Sequence, residues 1–295
     1  MVAVVEERKS GEADLHNHTI FSDGDLSPTE LIEGAQRRRL RAIAVTDHDT
    51  ISGLGEAFAA AKGLDLELVP GVELSAHTVG REFHLLGLFI DHGCPNLLRI
   101  VSLQREARRE RARLMVERLQ QLGVNIDLEV VSHYAGGGTL GRPHVARAIV
   151  ASGAVSEVDE AFKRYIGLHG PAYVAKQALG AKKAIDCIHG AGGLAILAHP
   201  ASTRLSAGFI RELVPQGLDG IETRHPNHHA SQETKLEVLA IELGLLTSGG
   251  TDYHGPGRGQ AQIGDRAISW QRYQRLRDAW SKPSSRQGAA EHDQA

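Results

Sequence analysis

Histidines and carboxylates stand at the ends of short apolar runs in this 295-residue sequence. Leu15 is followed by His16 and His18, and a spacing of two places both imidazoles on the same side of an extended chain. Such a pair is a natural metal chelate. Asp23 follows in a Ser-Asp-Gly turn and brings a carboxylate close to the pair in sequence. The chain has 16 histidines, an unusually large number. Metal binding would explain why His16 and His18 lie together at the end of an apolar run.

The same pattern recurs along the rest of the chain. Further donors follow apolar runs or lie within them at His48, Glu73, His84, His199, Asp252 and His254. With His16, His18 and Asp23 they make a set of imidazoles and carboxylates without a thiolate, which favours Mn²⁺, Fe²⁺, Zn²⁺ or Mg²⁺. The set exceeds the needs of one ion, so we expect two or three divalent ions, with Mn²⁺ the leading choice and Glu73 bridging. Such clusters activate water and neutralise charge on a transferred phosphoryl group.

Each of these elements alone is weak support for a metal site. A single His-x-His or Thr-Asp-His also occurs in ordinary strand-end turns, whereas their conjunction points to one metal centre. Asp47 and Asp49 flank His48, and we expect both to lie outside the ligand set as partners that orient an imidazole.

Alternating strand and helix patterns provide the elements that position these residues. In the first 90 or so residues the patterns predict repeated βα units and a parallel sheet, with a helix that opens on a capping box of Ser27 and Glu30. The predicted strands are 15–18, 42–46, 66–69, 83–89, 194–198, 219–222 and 245–248. In a β/α barrel the C-terminal strand ends converge on one face, where the ligands would meet.

The stretch from about residue 95 to 122 interrupts this alternation with one long arginine-rich helix pattern. Two shorter helical pieces, 143–151 and 155–165, continue it, and the βα pattern returns after about residue 175. The sequence therefore predicts a barrel in two parts, 12–94 and 176–281, separated by a helical insertion, 95–175. The polar residues 282–295 are predicted to form a disordered tail.

Composition narrows the class of protein. An apolar content of 41% is enough for one large catalytic body, and a net charge of −3 gives no global attraction to nucleic acid or anionic membrane. No apolar run approaches a membrane span, so we expect a cytoplasmic protein without a membrane partner. Cys94 and Cys187 have no metal-site spacing, and both are expected to be buried thiols.

The sequence resembles the polymerase and histidinol phosphatase (PHP) family. The resemblance rests on DLHNHTIFSDG (14–24), TDHD (46–49), GVELS (71–75), FHLLG (83–87), LAHP (197–200) and GTDYH (250–254). It implies an α/β fold, a distorted seven-stranded (β/α) barrel, with a trinuclear metal centre. The implied ligand sets are His16, His18, Glu73 and Asp252 for one ion, Glu73, His84 and His199 for a second, and Asp23, His48 and His254 for a third.

The insertion and the segment Gly141-Arg142-Pro143-His144 resemble two groups within the family. One group removes the 3′-phosphate from nucleoside 3′,5′-bisphosphates, and the other is related to 5′→3′ exoribonucleases that trim short RNA. The resemblance implies a metal-dependent phosphoesterase that acts on a small nucleotide or short oligonucleotide and needs no obligate protein partner.

Several residues are candidates for substrate contact and catalysis. Arg142 offers a bidentate fork and His144 a donor to a phosphate, although a helix-starting Arg and a buried His are the alternative. Lys176 and His225 are further candidates for the substrate pocket, with a solvated lysine and a loop histidine as the alternatives. In the predicted mechanism water activated by the ions attacks the phosphate in line, and Arg142 and His144 add positive charge. His199 or His254 transfers a proton to the leaving oxygen, with a metal-coordinated water as the alternative. His228 and His229 are expected at the surface, and His133 and His169 at the surface or in the packing of the insertion.

Four other functions stay open at this point. The same chemistry on histidinol phosphate would need no nucleobase pocket. An exonuclease on longer chains would use the arginine-rich helix to guide a strand. A non-catalytic nucleic-acid-binding module would leave the ligand set unused. An amidohydrolase also uses His-x-His barrels, but the sequence offers no evident strand-end lysine of the kind that such enzymes carbamylate.

Overall fold

A computed structural model describes residues 12–78, 81–176, 179–258 and 261–282. Its strands are β1 (Glu12–Asp14), β2 (Ala42–Val45), β3 (Glu67–Thr78), β4 (Arg81–Leu88), β5 (Leu179–Gly180), β6 (Leu194–Leu197), β7 (Gly220–Arg224), β8 (Leu246–Gly249) and β9 (Ile268–Ser269). Its α-helices are α1 (Pro28–Arg37), α2 (Leu54–Ala61), α3 (Pro95–Gln121), α4 (Leu128–Tyr134), α5 (Arg142–Ala151), α6 (Val158–Ala161), α7 (Ala181–Gly190), α8 (Ala207–Leu213), α9 (Ala230–Leu243) and α10 (Trp270–Ser281). All of the predicted tail except Lys282 lies outside the described residues.

The strands form one barrel-shaped sheet in the order β8-β7-β6-β4-β3-β2-β1-β9, and β5 pairs with β3. Where β1 leaves the sheet, Leu15 N donates to Gly249 O at 3.2 Å, and Asn17 forms a parallel bridge with Tyr253. These contacts join the region after β1 to the end of β8, so the sheet is nearly closed. The α/β barrel expected from the sequence is confirmed, but the expected number of seven strands is not.

The expectation of parallel strands is wrong for β4. This strand is antiparallel to both β3 and β6. Only two residues separate Thr78 from its partner Arg81, and so short a connection joins only antiparallel strands. As a result β3 is much longer than the predicted strand 66–69, and Glu73 lies inside it instead of at its end. The predicted strand 15–18 is also wrong, because β1 ends at Asp14.

Apolar side chains cover both faces of the sheet. In β2, Ala42 and Ala44 belong to one buried cluster, whereas Ile43 and Val45 belong to another. This division follows from the alternation of side chains along a strand. Helix α1 begins as the sequence predicts, with a capping box formed by Ser27 and Glu30. Cys187 is buried as expected, but Cys94 is only half-buried.

Residues 95–175, here called the helical segment, lie between β4 and β5 in the chain. Helix α3 is 27 residues long, which corresponds to about 40 Å. Its first turns pack on the barrel through Leu97 and Ile100, and its second half joins a separate apolar cluster with α4, α5 and α6. The predicted domain boundaries stay a prediction. Within the described ranges no helix is long and apolar enough to cross a membrane.

Candidate metal centre

Two loops that leave neighbouring strands bring four of the predicted ligands together. His16 and His18 follow β1, and Asp252 and His254 follow β8. His18 N donates to Tyr253 O at 2.9 Å, which holds the loops side by side. Gly250 permits this approach, because a Cβ atom there would lie 2.4 Å from His16 Cβ. Asp252 adopts φ = 47°, a left-handed conformation that an aspartate tolerates and that turns its carboxylate towards the histidines.

Glu73 lies at the centre of the cluster and is fully buried. Its Oε2 lies 3.2 Å from Nε2 of both His16 and His18 and 3.0 Å from His48 Nδ1. Its Oε1 lies 2.7 Å from His84 Nδ1 and 3.0 Å from His199 Nε2. Each oxygen thus faces a different group of imidazoles, which is the arrangement that a bridging carboxylate requires.

Three overlapping groups of donors have their ligand atoms within 4.8 Å of one another. They are His16, His18, Glu73 and Asp252; His48, Glu73 and His84; and His18, Asp23, His48 and His254. The first group equals one ligand set implied by the family resemblance, and the third contains another with His18 added. The second differs, because His48 takes the place expected for His199. His199 nevertheless contacts Glu73.

Divalent metal ions would satisfy the donor atoms better than hydrogen bonds among these atoms do. Several are buried without a hydrogen bond of acceptable geometry: His18 Nε2, Asp23 Oδ1, His48 Nδ1, His84 Nδ1 and His199 Nδ1. Buried polar atoms normally find a hydrogen-bond partner, so a cluster of exceptions demands an explanation. Nitrogen and carboxylate oxygen are suitable ligands for Zn²⁺, Mn²⁺ and Fe²⁺, and such ions would satisfy these atoms.

The electrostatics of the cluster show how strongly these groups interact. Burial by itself lowers the pKa of His18, but the carboxylates of Asp252 and Glu73 outweigh burial and raise it to about 10. Burial likewise raises the pKa of Glu73, but the surrounding histidines hold it well below its usual range. The carboxylates are therefore ionised, and positive charge is strongly favoured among them. A divalent cation supplies that charge without protonating the imidazoles.

Glu222 on β7 orients two of the candidate ligands, a role that the sequence analysis missed. Its Oε1 lies 3.1 Å from His16 Nδ1, and its Oε2 accepts from the backbone N of His199 at 2.7 Å. A carboxylate on the second nitrogen of an imidazole fixes which nitrogen faces the metal. The signal in the sequence was an acidic residue at the end of the predicted strand 219–222, the same signal that nominated the other candidate ligands.

Asp47 and Asp49 lie outside the three donor groups as expected, but neither contacts an imidazole directly. Asp47 accepts from Thr19 N at 2.7 Å and from Ser22 Oγ at 2.6 Å, and so holds the loop that carries Asp23. Asp49 pairs with Arg108 of α3 instead. The expectation that they orient an imidazole is wrong for Asp49, whereas Asp47 reaches an imidazole through Ser22, whose Oγ lies 3.4 Å from His18 Nδ1.

Lys176 is not a solvated lysine. Its side chain is 4% exposed, and Nζ lies 2.9 Å from Asp49 Oδ2 and also contacts Ser75 Oγ. Arg108 Nε donates to the same Asp49 oxygen at 2.6 Å. Burial and the charge of Arg108 lower the pKa of Lys176 to about 7, against the opposing effect of Asp49. This buried network joins the helical segment to the loop beside His48.

The two candidate phosphate contacts lie at the start of α5. The Arg142 guanidinium is 5.7 Å from the Phe162 ring centre and 6.0 Å from that of Tyr173. His144 is buried, and its Nδ1 accepts from Gly141 N at 3.0 Å. Burial, together with nearby arginines, lowers the pKa of His144 to about 4, so the ring is neutral and Nε2 carries the hydrogen.

His225 lies inside the cluster instead of in an open loop. It is buried, and its Nε2 lies 3.1 Å from Asp252 Oδ2. His228 is also buried and its Nδ1 lies 3.0 Å from Thr223 O, so its expected surface position is wrong. His133, His169 and His229 are exposed.

Comparison with known proteins identifies the family. The fold and the donor cluster are those of a metal-dependent phosphoesterase, and the PHP domain matches residues 14–175. The chain belongs to the PHP family.

Its relatives cover most of the chain. The 5′-3′ exoribonuclease Rnm of Escherichia coli is 37% identical, with 82% of this chain and 85% of that protein aligned. The 3′,5′-nucleoside bisphosphate phosphatase of Chromobacterium violaceum is 36% identical, with 85% of this chain and 90% of that protein aligned. A solved structure from Bifidobacterium adolescentis, described as a metal-dependent phosphoesterase, superposes with a TM-score of 0.83 at 31% identity. The superposition covers 90% of this chain and 95% of that one.

Proposed function

We propose that this enzyme removes the 3′-phosphate of nucleoside 3′,5′-bisphosphates and also trims short RNA in the 5′→3′ direction. The names of the relatives from Chromobacterium violaceum and Escherichia coli support the two activities. The observation that carries the proposal is the position of the donor cluster beside arginines of the helical segment. The chain has no net positive charge, so a polyanionic substrate must be met by such a local group.

Two or three divalent ions, with Mn²⁺ the proposed metal, would be held by His16, His18, Asp23, His48, Glu73, His84, His199, Asp252 and His254. Bound there, they would supply Lewis-acid charge for the phosphoryl oxygens and activate water for attack. Glu222 and His225 keep the imidazoles and Asp252 oriented for that role. His254 Nδ1 faces Asp252 O at 2.8 Å, which leaves its Nε2 directed at Asp23.

The side chains around the cluster would bind and orient the substrate. Arg142 binds a substrate phosphate through its planar fork, and the neutral His144 donates from Nε2. A histidine that binds a metal ion is a poor acid, so we propose that water, and not the ligands His199 and His254, delivers the proton to the leaving oxygen. Lys176 is already bonded to Asp49, and we therefore propose that it acts by positioning the helical segment.

Phosphate release from a panel of substrates tests this function. The protein is purified with Mn²⁺ and compared on adenosine 3′,5′-bisphosphate, histidinol phosphate and a short 5′-phosphorylated RNA, with Asp252→Ala as the inactive control. We expect hydrolysis of the bisphosphate and the RNA that the substitution abolishes. Release from histidinol phosphate alone would overturn the substrate assignment, and no metal-dependent release from any substrate would overturn the enzymatic function.

A further inference from the structure

Arg111 lies on the face of α3 that reaches the metal centre. It stands three residues after Arg108, and residues with this spacing share one face of a helix, about 4.5 Å apart along its axis. Arg108 bonds to Asp49, the neighbour of the candidate ligand His48. Arg111 is thus one helical turn beyond a residue that touches the loop of the metal centre.

The guanidinium of Arg111 is partly bound and partly unsatisfied. Its Nε donates to Val174 O at 2.8 Å, whereas its Nη2 is buried without a hydrogen-bond partner. Among the described residues no carboxylate lies within 4 Å of this guanidinium, and the nearby Glu82 already accepts from Lys176 N at 3.1 Å. A buried donor left unpaired is costly, so an external acceptor would satisfy it.

The guanidinium of Arg142 lies close to that of Arg111 and also has no anionic partner among the described residues. Both guanidiniums lie near the Tyr173 ring, at 5.6 Å for Arg111 and 6.0 Å for Arg142. Burial, followed by the charge of Arg142, lowers the pKa of Arg111. In the part of the chain that the structure describes, the Arg142 guanidinium has no ion pair and no hydrogen bond. Two adjacent cations without an anion define a place where an anion would be stabilised.

We propose that Arg111 and Arg142, with Tyr173 between them, form a second phosphate subsite that binds the phosphate that is not hydrolysed. The inference rests on the proposed function and makes it more specific, because it assigns Arg142 to this second phosphate instead of the reacting one. The scissile phosphate, on the 3′ oxygen, lies at the metal centre, and the 5′-phosphate of the same nucleotide, in a bisphosphate or at the start of an RNA, lies against the arginine pair. A substrate whose only phosphate is the scissile one gains nothing from this subsite.

Comparison of two substrates with Arg111→Gln tests the subsite. We expect kcat/KM for adenosine 3′,5′-bisphosphate to fall about 10- to 100-fold, the range expected for loss of a charge-assisted hydrogen bond, and kcat/KM for adenosine 3′-monophosphate to change less than about threefold. Arg113→Gln is the matched control, since Arg113 lies on the same helix, is exposed and pairs with Glu110 and Glu117. Equal losses on both substrates, or no loss on either, would overturn the proposal.

A binding measurement separates this inference from the proposed function. Calorimetric titration uses adenosine 5′-monophosphate, which has no 3′-phosphate to lose. We expect its Kd for Arg111→Gln to be at least about tenfold higher than its Kd for the wild type. An unchanged Kd would refute the subsite even if the bisphosphate is hydrolysed, and a clear loss would support it even if the enzyme proves to act on another nucleotide. Circular dichroism verifies folding, and Arg111→Lys, which keeps the charge but not the fork, is expected to bind with intermediate affinity.

Discussion

The metal centre and the helical segment handle charge in opposite ways. In the metal centre, histidines and carboxylates are buried against one another, and Glu73 alone contacts five imidazoles. In the helical segment, Arg111 and Arg142 approach each other with no acidic partner among the described residues. The first arrangement suits a fixed cation and the second suits a mobile anion. The comparison suggests that the barrel supplies the chemistry and the helical segment supplies recognition.

One buried ion-pair network connects the two regions. Asp49 belongs to the barrel, Arg108 reaches it from helix α3 of the helical segment, and Lys176 reaches it from the residue that follows that segment. Asp49 is fully buried and has φ = 50°, a strained backbone conformation of the kind found at functional sites. This network holds helix α3 and Lys176 against the loop that carries His48.

The largest effect is expected from Glu73→Gln, which removes the negative charge at the centre of the metal site. Loss of the central carboxylate should lower phosphoesterase activity by about 10³-fold or more and reduce the metal content, because every candidate ion shares or adjoins this residue. Phosphate release and elemental analysis measure the two changes. Glu67→Gln on the same strand is the control, since Glu67 lies at the start of β3 and contacts Arg277 and Tyr273 instead of the candidate ligands. Retention of more than a tenth of the activity would contradict the central role of Glu73.

Asp49→Asn tests the connection between the regions. The asparagine tolerates the left-handed backbone but leaves Arg108 and Lys176 buried without their anion, so we expect the free energy of unfolding to fall by about 3 kcal/mol. Urea denaturation measures this change. Glu33→Gln, which breaks the exposed pair with Arg37, should leave stability nearly unchanged. Equal stabilities of the two variants would show that the network does not hold the regions together.

Glu222→Gln sharpens the comparison within the metal centre itself. Because Glu222 contacts His16 and the backbone of His199 without belonging to a donor group, its loss should reduce metal affinity or activity by about 10- to 100-fold, less than the loss of Glu73. Metal titration followed by activity gives both values. The exposed Glu242, paired with Arg211, provides the control substitution Glu242→Gln. A loss as large as that of Glu73→Gln would make Glu222 a ligand instead of an orienting partner.

The sequence alone predicted the barrel class, the long helix α3 and a set of candidate ligands that the structure brings together. It could do so because these features are local: apolar periodicity defines a strand or helix, and a chemical group at its end remains visible in the sequence. The capping box of Ser27 and Glu30 is such a feature, and it was predicted correctly. The substrate-contact roles of Arg142, His144, Lys176 and His225 stay predictions.

Only the tertiary structure decided the direction of β4, the orienting role of Glu222 and the burial of Lys176 and His228. These depend on partners distant in the chain. Glu222 and His16 are separated by 206 positions, and Lys176 and Asp49 by 127. Periodicity indicates which side of a strand is buried, but not which strand packs beside it or which charge meets it there. The free energy of burying a charge depends on that partner, and the partner is set by the closed sheet and by the helix that lies across it.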